Sequence, residues 1–466
     1  MKKLMSLMAV VSLFAATTAL ADEPVQVSNV FSKYKLTIGG YVKLDYVYNS
    51  NQQQPSNYFN LVTPDNGGIS PKGAAGDSST MGVEQTRLWF KVDGPGILGG
   101  KSTALIEGDF FAVPNVVESS PGFRLRQAYG ALDWDNGQLL FGQTWELFGG
   151  MLANTVDMRS GEGMGTPWNR EPMIKATYNQ KFDADNSLSY VGAIVMPQQT
   201  GDNSAIMANS GTAGILGTNW STLGGLGITQ APVNTNVPNF EGQLTFKSKS
   251  LGYAPGYLGA MKEFNLMAFG LYGHARYDYT GLGGKIDGED SYGYGLYAFV
   301  PILPSKDIKN RANTASFEAQ IYEASNMVWN GGTAAPFTQV GAGQIYGNNV
   351  ANASAITPMK DLGIAAQLIY YPTQQMGLTV GFTDRIAANR SSDFANVSGA
   401  NVLSNGNYNK SDSMIYTNIA YDINAAVRVA AEYQNVMTTY GKGGTSTGAN
   451  TTGVDNIGRF SMYYFF

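Results

Sequence analysis

The last nine residues, Gly458 to Phe466, alternate in polarity. Phe460, Met462, Tyr464 and Phe466 are apolar, whereas Arg459 and Ser461 fall on the other parity. Period two marks a β-strand with one apolar face and excludes an amphipathic helix, whose apolar residues recur every three or four positions. The same alternation returns along the chain. It predicts strands over 35–48, 83–92, 101–111, 123–134, 137–142, 173–180, 187–196, 240–247, 264–278, 291–300, 313–324, 361–371, 376–385, 411–421, 425–437 and 456–466. That is about sixteen, an even number, as in bacterial single-chain membrane barrels.

The opposite end sets the compartment. Met1-Lys2-Lys3 is a short positive segment, Leu4 to Thr18 is apolar, and Ala19-Leu20-Ala21 fits a small-x-small cleavage site. Residues 1–21 are therefore expected to be a cleaved export signal, and 22–466 the mature domain. No later run reaches the roughly 18 apolar residues that a spanning helix requires. A chain this long would ordinarily divide into soluble domains, but no Pro-rich or charge-rich linker divides it. Cysteine is absent and His274 is the only histidine, which removes disulfide, thiolate and iron–sulfur chemistry and leaves no cofactor expected. A formal charge of −5 is too mild to point to nucleic acid.

Connections between the predicted strands alternate in length. Residues 93–96, 135–137, 181–186, 372–375 and 422–424 are tight turns, among them an Asn136-Gly137 hairpin signal. Residues 49–82, 143–172, 197–239, 325–360, 386–410 and 438–455 are long. Such parity matches a transmembrane antiparallel β-barrel with short periplasmic turns and long extracellular loops. Connections 248–263 and 301–312 are long for the periplasmic side and are expected to hold extra structure or a misplaced strand.

Faces sort accordingly. In the first strand Leu36, Ile38, Val42, Leu44, Tyr46 and Tyr48 share one side, with Lys35, Thr37, Lys43 and Asp45 on the other. An apolar outer belt is required because charges facing lipid at mid-depth cost roughly 2–4 kcal/mol. Tyr46, Tyr48, Tyr292, Tyr294, Tyr370, Tyr371, Tyr463 and Tyr464 suit aromatic girdles at the membrane interfaces. The other face is read as polar and charged. About eight strands already suffice to fill a barrel with side chains, so a polar interior at about sixteen implies a wet lumen.

Candidate pore-lining residues gather on strands two to four: Arg87, Lys91, Glu107, Asp109, Arg124 and Arg126. Two readings stay open. Arginines and carboxylates neutralise one another across neighbouring strands, or surplus guanidinium forms an anion-attracting ladder. The third long loop, 143–172, carries Trp145, Phe148, Met151, Leu152 and Trp168 and is too apolar to stand in water. It is expected to be buried, whether inside the barrel or on a neighbouring subunit or loop; its position resembles that of the third external loop of sixteen-stranded porins, which folds into the lumen, and the resemblance implies Trp145, Asp157, Arg159 and Glu162 at a constriction.

A strand that ends on an aromatic residue resembles the closing strand of outer-membrane barrels, and the resemblance makes Phe466, Tyr464 and Met462 a signal for the barrel-assembly machinery. Export signal, barrel pattern and third loop together resemble a trimeric outer-membrane porin. Arg124-Leu125-Arg126-Gln127-Ala128-Tyr129-Gly130, with Gly142-Gln143-Thr144-Trp145, is similar to the phosphate-selective and DcaP-like dicarboxylate porins. The resemblance implies passive diffusion of small hydrophilic solutes, particularly anions, through a homotrimer in outer-membrane lipid. The chain departs from that pattern in having no dense arginine staircase, no lysine-rich loop cluster and no amino-terminal coiled-coil segment. Rival expectations are a structural or adhesive surface protein, or an outer-membrane enzyme built around His274.

Overall fold

A computed structural model describes residues 34–51, 53–54, 61–62, 77–112, 122–158, 161, 164–167, 169–196, 237–278, 286–325, 327, 345–347, 356–358, 360–387, 407–442 and 452–466. Residues 1–21, expected to be an export signal, and Arg159, Glu162 and Trp168 lie outside them.

All the main elements are strands, and antiparallel pairing closes them into one barrel. They are β1 (Lys35–Asn49), β2 (Ser78–Gly82 and Arg87–Ile97), β3 (Gly100–Ala112), β4 (Gly122–Trp134), β5 (Gly137–Trp145), β6 (Arg170–Lys181), β7 (Asn186–Val195) and β8 (Asn239–Ser248). β9 (Phe264–Asp278), β10 (Ile286–Leu303), β11 (Thr314–Ser325), β12 (Lys360–Tyr371), β13 (Met376–Ala387), β14 (Asn407–Asp422), β15 (Val427–Lys442) and β16 (Thr452–Phe465) complete it. The two segments of β2 both pair with β1, one beside 45–49 and the other beside 35–41, so they form a single stave of a sixteen-stranded wall. Among the described residues, no helix is long and apolar enough to cross a membrane.

β16 closes the barrel on β1 with Tyr41 opposite Phe465 and Asn49 opposite Ile457. Gly40 and Phe466 exchange main-chain hydrogen bonds at 3.1 and 3.2 Å. Phe460, Met462, Tyr464 and Phe466 all point outward and are exposed. Leu36, Ile38, Val42, Leu44, Tyr46 and Tyr48 do the same on β1, while Lys43 and Asp45 are completely buried inside. The outer surface is thus the apolar belt that lipid demands.

Three sequence readings change. The stave predicted at 83–92 starts at Ser78 and breaks over 83–86, where Thr86 Oγ1 takes the Lys43 N–H at 3.1 Å in place of a ladder carbonyl. β5 runs on to Trp145, so this residue ends a strand and does not belong to the loop. Finally, the tyrosine pairs split by parity. Tyr464 is on the belt, but Tyr463 and Tyr371 are buried inside the barrel, because neighbours on a strand face opposite ways.

The lumen is not polar all round. Met267, Phe269 and Leu271 of β9, Tyr297 and Phe299 of β10, and Tyr322 and Ala324 of β11 form a buried apolar carpet on the inner wall. Alternation cannot reveal such a stretch, because Leu266 to Tyr272 carries no polar residue on either face apart from the tyrosine hydroxyl.

Candidate functional site

The loop after β5 covers that carpet. Phe148 and Met151 are each only 1% exposed, and Phe148 meets Phe269 and Tyr322 edge-on at centroid distances of 5.2 and 5.4 Å. From there the loop tracks the inner wall, and wall side chains satisfy its main chain. Leu147 N donates to Glu241 on β8 at 2.7 Å, and Gly150 and Met151 N to Gln320 on β11 at 2.9 and 3.0 Å. Asn154 N donates to Gln367 on β12 at 2.8 Å, and Val156 N to Glu432 on β15 at 2.6 Å. Lys43 Nζ on β1 donates to Val156 O at 2.7 Å. A loop buried without such partners would leave main-chain groups unpaired at a cost of several kcal/mol, so these glutamines and carboxylates make the inward fold possible. The structure therefore seats the third loop in the lumen, on the wall of its own subunit.

The charges predicted on strands two to four do come together. Arg87, Asp109 and Arg124 stand in one row across β2, β3 and β4. Arg124 grips Asp109 with two bonds, of 2.9 and 2.7 Å, and Arg126 bridges Glu107 at 2.6 Å and Asp109 at 2.8 Å. A β-bulge places Arg126 there: Glu107 pairs with Gln127 and Gly108 with Leu125, leaving Arg126 as the extra residue. The bulge also flips the parity beyond it, so that Tyr129, Ala131 and Asp133 face inward where simple alternation would have put Ala128, Gly130 and Leu132. Trp145 lies between Arg126 and Arg170, whose guanidinium carbons sit 5.6 and 4.8 Å from its ring centroid.

Arg87 differs from its neighbours. Its partners are the Met158 sulfur at 3.4 Å and the Tyr41 ring at 5.6 Å, and among the described residues it forms no ion pair. Lys91 lies four residues further along β2, half exposed and paired with Asp93 at 3.0 Å. Asp157 is turned to the wall, 2% exposed, accepting from Arg459 at 2.9 Å and Gln85 at 2.5 Å. Near the start of the loop, Glu146 is buried beside Glu241 and Glu171, and burial together with these two carboxylates raises its pKa well above the ordinary range.

Sequence reasoning had no signal for the connection between β8 and β9 beyond its length. It folds up into the lumen. Ala254-Pro255 pairs with Met261-Lys262, and a single 3-10 turn, Tyr257–Gly259, forms the tip. Leu258 N donates to Asn154 Oδ1 of the third loop at 2.8 Å. His274 meets Asp290 on β10 at 3.0 Å, and among the described residues no serine or threonine hydroxyl bonds to it.

The closed sheet, the apolar belt and the loop folded into the lumen define a sixteen-stranded porin fold of the bacterial outer membrane. Among solved structures, the chain is similar to the outer membrane channel DcaP of Acinetobacter baumannii, with 16% identity over 96% of this chain and 100% of that one, at a TM-score of 0.64. It is also similar to Pseudomonas putida OprB (11% identity, 94% and 95% covered, TM-score 0.50) and to Salmonella typhi OmpF solved with daunomycin (12%, 94% and 99%, 0.50). No protein-family model matches the chain, and no curated protein matches it in sequence.

Proposed function

We propose that the barrel is a channel, not an enzyme, through which small hydrophilic solutes and ions diffuse passively, with a preference for small anions. The observation that carries this is the asymmetry of the lumen. The third loop follows the wall from β8 round to β16 and β1 and reaches β2 at Gln85 and Arg87, while the charged residues of β3 and β4 are left facing it. On that wall Arg124 and Arg126 are engaged by Glu107 and Asp109, which favours the neutralising reading for these two. Among the described residues Arg87 forms no ion pair, and it is the guanidinium able to draw a passing anion. The solution form is a homotrimer exported by a cleaved signal, with the outward aromatic face of β16 read during assembly.

Purified protein in a planar bilayer tests the channel. Discrete conductance steps are expected, with a reversal potential in a salt gradient that favours anions. Arg87→Ala is expected to reduce that preference more than Arg124→Ala together with Arg126→Ala. Absence of unitary steps from folded protein refutes the channel, and cation preference refutes the role of Arg87.

A further inference from the structure

Lys43, Arg385 and Arg459 face the lumen from β1, β13 and β16, and each is sealed against carboxylates. Lys43 lies on Asp45 at 3.0 Å, Arg385 stands 3.8 Å from both Asp361 and Asp412, and Arg459 binds Asp157 at 2.9 Å. All of these groups are buried. The periplasmic half of β6 to β8 is lined differently. Below Met173 the inward residues of β6 are Lys175, Thr177, Asn179 and Lys181. Ser187 of β7 stands in the ladder between Lys181 and Lys247 of β8, which puts these two lysines two strand spacings, about 10 Å, apart. Lys175 is six residues above Lys181 on the same face, roughly 20 Å away. The stretches 175–181, 187–191 and 243–247 contain no aspartate or glutamate at all.

Lys181 is exposed, and Lys175 and Lys247 are partly exposed. Among the described residues none of the three forms an ion pair. Neighbouring carboxylates are already engaged. Asp183 in the turn below is taken by Asn186, whose N–H and side-chain amide donate at 2.8 and 3.0 Å. Glu241 stands in the row of Lys175, two strands away, and its Oε2 holds the Leu147 N–H. The ladder partners of Lys175 are Leu140 and Ala193, and Leu147 at the root of the third loop packs in one apolar cluster with both of them and with Met173. An ammonium so placed has given up part of its water and gained no carboxylate in return, which is unfavourable until a counter-ion arrives.

We propose that this lysine face is a second anion contact of the channel, with Lys175 as the binding residue at the foot of the third loop and Lys181 and Lys247 as its periplasmic mouth. This rests on the channel reading above. An ammonium is a point charge without the planar fork of a guanidinium, so the face takes small anions by charge and not by shape. The hydroxyls and amides between the lysines supply further donors to an anion moving along the wall. Arg87 and the lysine face lie on separate strands, so each contributes to anion preference by itself.

The experiment is bilayer recording of the purified protein in a potassium chloride gradient. Lys175→Gln is expected to lower the chloride-over-potassium permeability ratio roughly two- to fourfold, the weight of one charge acting on both ions through about 10 Å of water. Lys175→Arg keeps the charge and the wild-type ratio. Adding Lys181→Gln and Lys247→Gln to Lys175→Gln lowers the ratio further. The chain has no cysteine, so Lys175→Cys carries its only thiol. An anionic methanethiosulfonate reagent then moves the reversal potential toward cations, and a cationic reagent of similar size moves it back toward anions. Conducting channels whose permeability ratio is the same in wild type, Lys175→Gln and the triple variant, or a Lys175→Cys channel indifferent to both reagents, overturn the proposal while leaving the channel intact. A folded wild-type barrel without conductance refutes the channel itself.

Discussion

Two arcs of the same wall serve opposite ends. Across β9 to β11 the inner face is Met267, Phe269, Tyr297, Phe299 and Tyr322, and it behaves as the core of a soluble protein, receiving Phe148 and Met151 of the third loop. Across β2 to β4 it is Arg87, Glu107, Asp109, Arg124 and Arg126, where the loop arrives only with its far end, Met158 on Arg87. A barrel this wide cannot fill its interior with wall side chains alone. It divides the cross-section instead, with part packed by a loop on an apolar carpet and part lined by charges that are buried only in pairs, as Arg126 and Asp109 are. The bonding differs accordingly. The carpet side is fixed by packing and by glutamine and glutamate side chains that bond to loop main chain, whereas the charged side is fixed by arginine–carboxylate pairs within the wall.

The division can be broken from either side. Phe148→Ala removes a fully buried ring from the carpet and is expected to cost about 3–5 kcal/mol of loop anchoring. It is checked by a fall in the temperature at which the folded barrel loses its compact gel mobility, together with noisier open-channel current. If the loop detaches, the distinction between the two arcs disappears. Asp109→Asn acts on the other arc. It weakens the contacts of Arg124 and Arg126 together, at roughly 2–3 kcal/mol for charge-assisted hydrogen bonds. It should also move the reversal potential toward anions by releasing guanidinium charge; an unmoved potential means that the row is remote from the path.

Glu146→Gln tests the loop's root with a smaller effect. A carboxyl whose folded pKa is raised contributes stability that is present below its unfolded value, near 4.5, and is lost as pH rises through the folded value. Wild-type barrels should therefore weaken from mildly acidic pH upward, and the glutamine variant should show a flatter stability profile over that range. Equal profiles would mean that Glu146 does not titrate with folding. Lys91→Ala is the smallest change. Its pair with Asp93 is largely exposed, so a stability effect of about 0–1 kcal/mol and an unchanged reversal potential are expected. A large shift in potential would extend the selective wall down to Lys91.

Strand number, the outward belt, the loop parity and the cluster on strands two to four were all legible in the linear pattern. Each depends on residues two apart or on connection length, and period two is local. The bulge at Arg126 was not legible, since nothing in Arg124-Leu125-Arg126-Gln127 says which residue drops out of the ladder. Nor was the turning of Asp157 to the wall, which depends on Arg459 and Gln85, far away in sequence. The inward turn at Tyr257 showed itself only as excess length between β8 and β9.

By itself, then, the sequence pointed to a closed membrane barrel, because alternating polarity, a long/short parity of connections and an export-type amino terminus agree, although alternation alone also suits a soluble sheet. Only the tertiary structure decided how that lumen is filled. The third loop finds its carpet on β9 to β11, and Asn154 meets Leu258, through contacts between residues about a hundred or more apart in the chain. Such pairings arise when a closed wall brings distant side chains to one depth, and no local periodicity encodes them.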